Sequence, residues 1–130
     1  MTGRPAGHLS PCSIPDARAR LHDAEAFLDT AEMARDPDVV ATNAIHATIA
    51  AADAICCVAL RERSSDHSHT AAVDVLGRVD TKLANALARA LSRKTQAASE
   101  SRDIARRDAT TCVRQATVLV DAARQRILGA

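Results

Sequence analysis

Aromatic residues are almost missing from this 130-residue chain: it has one phenylalanine, no tryptophan and no tyrosine. That absence excludes nucleic-acid platforms on which bases stack against aromatic rings. It also argues against a sheet, which draws on β-branched and aromatic side chains. An excess of one charge is missing too: 17 Lys and Arg against 16 Asp and Glu leave a formal net charge of +1. A general nucleic-acid binder carries a basic excess, so RNA or DNA could be handled only through a local basic site. The four cysteines, Cys12, Cys56, Cys57 and Cys112, form neither a CxxC pair nor a disulfide-rich pattern. Cys56 and Cys57 read as small hydrophobes inside an apolar run, and a reduced, cytoplasmic setting is expected. The first 15 residues hold no apolar core of a signal peptide, and no stretch reads as membrane-spanning, so no membrane partner is expected.

What is abundant is alanine, leucine, arginine and aspartate, which favours helices. At this length the chain is one domain with one core. An alanine-lined core buries little surface per residue, so close helix–helix approach is expected, with a homodimer completing the burial. Residues 1–14, with Gly3, Pro5, Gly7 and Pro11, read as a flexible N-terminal tail, and 15–130 as a single helical domain. Pro15 and Asp16 open a first helix whose buried stripe is Ala17, Leu21, Ala24, Leu28 and Ala31. Asp36-Pro37 then reads as an N-cap and first-turn proline. The second helix runs to about Arg61 and is apolar on most of its circumference, the mark of a central, buried element. Asn43, His46, Thr48 and Asp53 are its polar exceptions.

The segment from Arg61 to His69 is polar without periodicity and reads as a loop or helix boundary. A third helix begins near His69, with Gly77 able to bend or break it, and Leu83, Leu87 and Leu91 extend a stripe to about Lys94. Gln96 to Asp103 is polar and turn-like. A last helix runs from about Ile104 to Leu128, with Ala105, Ala109, Cys112, Ala116, Leu119, Ala123 and Ile127 inward and Gly129 ending it. The expected fold class is all-α, an antiparallel four- to five-helix up-and-down bundle.

Chemistry concentrates in Arg61, Arg63, His67 and His69. Arg61–His67 and Arg63–His69 share one spacing, five residues between. A guanidinium can clamp phosphate oxygens and stabilise added negative charge, and an imidazole titrates near neutrality and can move protons on attacking and leaving oxygens. Loop clusters of this kind are also commonly just solvated. Asp53, mid-helix among apolar residues, either faces the loop and orients Arg63 or His69, or is a buried cap or is paired with an arginine elsewhere. Asn43 lies roughly 80° from Asp53 around the helix, and His46 reads as a satisfied structural histidine. Arg93 and Lys94 either contact phosphate or cap a helix end. A zinc site from Cys56, Cys57, His67 and His69 is not expected: adjacent helical cysteines diverge by about 100°, and recognised spacings are absent. No metal and no cofactor are assigned.

The run Ala41-Thr-Asn-Ala-Ile-His-Ala-Thr-Ile-Ala-Ala-Ala-Asp-Ala-Ile-Cys-Cys57, the Arg/His loop, and His69-Thr-Ala-Ala-Val73 together resemble the HEPN superfamily, most closely its short stand-alone actinobacterial members. The resemblance covers roughly residues 17–128, with a further match at Leu91-Ser-Arg-Lys-Thr-Gln-Ala97. The family hallmark is Arg, four to six residues, then His, at the junction of the second and third helices. Arg63 and His69 fit it, His69 directly preceding a helix. Arg61 and His67 fit the count as an alternative pair, but Arg61 falls where such sequences place a small residue.

The resemblance implies a bundle of HEPN type and, in many members, metal-independent RNA cleavage by 2′-hydroxyl attack that leaves a 2′,3′-cyclic phosphate. Arg63 and His69 would be catalytic, with Asp53, Asn43 and His46 supporting. It further implies a homodimer with the two motifs facing, and a nucleotidyltransferase-like antitoxin partner in toxin or defence systems. Other HEPN domains are non-catalytic modules for RNA or protein binding and assembly. Relatives often carry a tyrosine shortly after the equivalent of Lys94, where this chain has Ala98-Ser99.

Overall fold

The computed structural model describes residues 9–65, 69–100 and 105–130. Among these the chain forms five helices and one two-stranded ladder: β1 Leu9–Pro11, α1 Ile14–Met33, α2 Pro37–Leu60, β2 Glu62–Ser64, α3 His69–Gly77, α4 Thr81–Glu100 and α5 Arg106–Leu128. The all-α helical bundle expected from composition is the fold observed.

Local chemistry fixes the helix ends. The Ser13 hydroxyl accepts from the Asp16 backbone N–H at 3.2 Å, and the Asp16 carboxylate accepts from the Ser13 N–H at 2.9 Å. This reciprocal pair satisfies two donors that the first turn of α1 would leave open. Asp36 caps α2 by accepting from the Asp38 N–H at 2.8 Å, with Pro37 opening the helix as expected. Gly77 closes α3, and the Asp80 carboxylate accepts from the Leu83 N–H at 3.0 Å to start α4.

Helix α2 is the centre, packed mainly between α1 and α5, with the α3–α4 hairpin on its remaining side. Its buried residues are nearly all small: Ala41, Ala44, Ala47, Ala50, Ala51, Ala52 and Ala54, with Ile45, Ile55, Cys56 and Cys57. They meet Ala17, Ala24, Leu28 and Ala31 of α1 and Ala109, Cys112, Ala116, Leu119, Val120 and Ala123 of α5. Small side chains let the backbones approach closely, and each buried methylene-sized group contributes about 0.8 kcal/mol. The hydroxyl of the buried Thr48 donates to the Ala44 carbonyl at 2.9 Å, so the core holds it without an unmade bond.

Four expectations need correction. Residues 9–14 of the expected tail are built into the fold: β1 pairs antiparallel with β2, with Ser10 opposite Arg63, and Ser13 caps α1. Cys57 does not act as a free core hydrophobe, because it is joined in a disulfide to Cys12 across 45 residues, with Cα atoms 5.1 Å apart. The polar stretch from Gln96 to Glu100, expected as a turn, continues α4, as its alanine, glutamine and glutamate content permits. Finally, α2 is long and apolar enough to cross a membrane, contrary to the expectation that no stretch was; here the larger part of it is buried against the rest of the fold.

Candidate functional site at the end of helix α2

The C-terminal end of α2 must hand the chain to β2, and Arg61 makes the turn. Its backbone adopts the left-handed region at φ 57°, the only described non-glycine residue to do so. Glycine is the usual occupant of such a cap, since a side chain there is strained by roughly 1–2 kcal/mol. Arg61 offsets this locally. Its N–H donates to the Cys57 carbonyl at 3.0 Å, and its guanidinium donates to the carbonyls of Val58 at 2.6 Å and Cys57 at 3.4 Å. A positive charge over the last carbonyls of a helix is also favoured by the helix dipole. The Arg61 carbonyl in turn accepts from the Cys12 N–H at 2.9 Å. Arg61 therefore serves the helix end. Its partner in the alternative pair, His67, lies outside the described residues.

Arg63, two residues on, faces a different group. Its guanidinium stands 3.6 Å from the Asp53 carboxylate, which also takes two hydrogen bonds from Arg20 at 2.9 and 3.2 Å. Arg20 is shared further with Asp23 at 3.1 Å. Asp53 thus pairs with an arginine of α1, one of the two arrangements expected for it, and also faces Arg63 of β2. Its side chain is only 15% exposed while that of Arg63 is 38% exposed, so the carboxylate anchors and the guanidinium reaches solvent. Burial pushes the Asp53 carboxyl above its ordinary value, opposed by Arg20 and then by Arg63. At the start of α1, the Ser13 backbone N–H and then its hydroxyl hold the Asp16 carboxyl below its ordinary value, and Arg63 adds a smaller pull.

On its inner side Asp53 borders a cleft of about 20 Å³ with Cys56, Ser64, Ala72 and Val75, room for roughly one water. His69 opens α3 and is exposed. It lines another recess, of about 290 Å³, with Thr70, Val73 and Asp74 of α3 and Ala88, Leu91 and Ser92 of α4. Arg63 thus lies on β2 and His69 at the start of α3, both in the part of the chain that follows α2.

The remaining expected residues lie elsewhere. Asn43 sits ten residues before Asp53, about 15 Å along the helix axis, and its amide donates to the Val39 carbonyl at 2.9 Å. His46 stacks on Phe27, ring centroids 5.3 Å apart and planes 28° apart, a structural arrangement of the kind expected for it. Neither shares the junction with Asp53. Arg93 pairs with Asp108 at 2.8 Å and ties α4 to α5; the Lys94 side chain lies outside the described ones. Sequence reasoning missed Arg20, whose carboxylate partner is 33 residues away and leaves no local pattern. Among the described residues no group of three or more His, Cys, Asp or Glu is placed to hold a metal ion. Comparison with protein-family models, curated proteins and solved structures gives no match.

Proposed function

We propose that the α2–α3 junction is a phosphate-handling site of HEPN type and that the chain cleaves RNA without a metal. Arg63 binds a phosphate oxygen and stabilises the charge that builds on it, and His69 moves the proton of the attacking 2′-hydroxyl or the leaving oxygen. Asp53 and Arg20 are positioning residues. The observation that carries this reading is the largely buried Asp53, which faces the half-exposed guanidinium of Arg63 on β2, six residues before the histidine that opens α3. In this reading a homodimer brings two junctions together over one RNA, a nucleotidyltransferase-like antitoxin restrains the activity, and the enzyme works in the cytoplasm.

The test is incubation of the purified chain with a mixed-sequence RNA in EDTA. Fragments with 2′,3′-cyclic phosphate ends are expected, lost in Arg63→Ala and in His69→Ala while helical circular dichroism is retained. Absence of cleavage, or cleavage that survives both substitutions, overturns the reading.

One observation favours a second reading, a non-catalytic helical module for RNA or protein assembly. The Arg20 guanidinium is held by Asp23 and Asp53, and Asp53 also faces that of Arg63, so both arginines of the cluster already have carboxylate partners. That reading expects no cleavage and an unchanged partner complex when His69 is replaced.

A further inference from the structure

The strand ladder that carries Arg63 is too small to persist alone. Each strand has three residues, and a two-stranded ribbon is marginal in water even when longer. What fastens it is covalent. Cys12 follows β1 directly, Cys57 lies in the last turn of α2, and the bond between them closes the strand onto the helix end next to Arg61 and Arg63. The Cys12 N–H to Arg61 carbonyl bond continues the same clasp. The partner choice is set by helix geometry. Cys56 points into the core beside the Asp53 cleft, about 100° away around α2 from Cys57, and burial pushes its thiol up to about 12. Cys112 is buried on α5. Neither competes for Cys12.

We infer that the Cys12–Cys57 disulfide is a redox clasp on the α2–α3 junction: closed, it holds β1 on β2 and fixes the segment carrying Arg63; opened, it releases both. The inference stands whether or not the junction cleaves RNA. Opening is a two-electron reduction by a dithiol of the thioredoxin class. The dithiol gives up two electrons and two protons and becomes a disulfide, the S–S bond breaks, and Cys12 and Cys57 become thiols. Both sulfurs are covered in the closed state, and peeling of the short ladder is the route by which a reductant reaches them. In a reducing cytoplasm the clasp is open, and oxidation closes it.

Trypsin reads the clasp directly, because Arg61 and Arg63 both stand at bonds the ladder protects. The full chain, oxidised with glutathione disulfide and then unfolded without reductant, is expected to show two titratable thiols, Cys56 and Cys112. Adding dithiothreitol to the folded protein is expected to raise cleavage after Arg61 and Arg63 by about tenfold or more, with cleavage after Arg114 on α5 nearly unchanged and helical dichroism retained. Cys12→Ser should show the fast cleavage without reductant. Four titratable thiols after oxidation, equal cleavage in both states, or general loss of helix on reduction would each overturn the inference.

Discussion

The two ends of α2 are built on different principles. Its first half is held by Asp36 at the cap, by the Asn43 amide turned back onto the Val39 carbonyl, and by His46 stacked on Phe27. The first two are bonds within four residues along the chain, and the third is a ring contact with α1. The last half carries a largely buried carboxylate shared by two arginines and a disulfide, which tie it to α1, β1 and β2, and a left-handed arginine whose side chain caps the helix end. Strain and buried charge gather at one end of one helix and are absent from the other. Such features cost stability and persist where the surrounding structure or a function demands them.

Breaking the covalent link should show the largest effect. In the chain-entropy picture a loop of 45 residues, once closed, destabilises the unfolded chain by about 4 kcal/mol, so Cys12→Ser should lower the unfolding free energy by up to that amount in urea titrations under oxidising conditions. Next comes Asp53→Ala, which removes the carboxylate facing Arg63 and leaves Arg20 with only its pairing to Asp23. With both arginines partly exposed, solvent screening limits the loss to roughly 1–2 kcal/mol, measured in the same titration. At the quieter end, His46→Ala should cost about 1 kcal/mol through lost stacking on Phe27, and Asn43→Ala about 0.5 kcal/mol or less. If Asn43→Ala cost as much as Asp53→Ala, the contrast between the two ends would fail.

The smallest signal is in pH. Burial raises the Asp53 carboxyl above its ordinary 3.8, so the folded state holds this proton more tightly than the unfolded chain. Its contribution is therefore fully present below pH 3.8 and is lost as pH rises through the folded value. The stability of the parent relative to Asp53→Asn should fall across that acid window and level off above it. Chemical unfolding of both proteins at several pH values checks the sign.

The contrast also explains what the sequence made legible. The quiet end of α2 is written locally: Asp36-Pro37 marks the start, and alanines at helical spacing mark the buried face. The central position of α2 follows from its apolar circumference. The Ser13–Asp16 box was half visible, Asp16 and Pro15 being read as the helix start. The busy end was not legible, because its partners are distant. Three-residue strands, one ending in Pro11, carry no alternation, and Cys12 and Cys57 share no spacing rule. Arg20 looks like any surface arginine of α1 until Asp53 is seen beside it. The segment after Arg61 reads as a loop, whereas Glu62–Ser64 form β2, and nothing in its composition separates the arginine that caps a helix from the one two residues later that faces a carboxylate.

That division between Arg61 and Arg63 is the centre of the account, and one side-by-side measurement tests it. RNA cleavage in EDTA is to be followed for Arg61→Ala and Arg63→Ala at matched helical content. Loss of a guanidinium that stabilises charge on the reacting phosphate should slow Arg63→Ala by about 100-fold or more, while Arg61→Ala stays within a few-fold of the parent. The reverse order, or equal rates in the two variants, would contradict it.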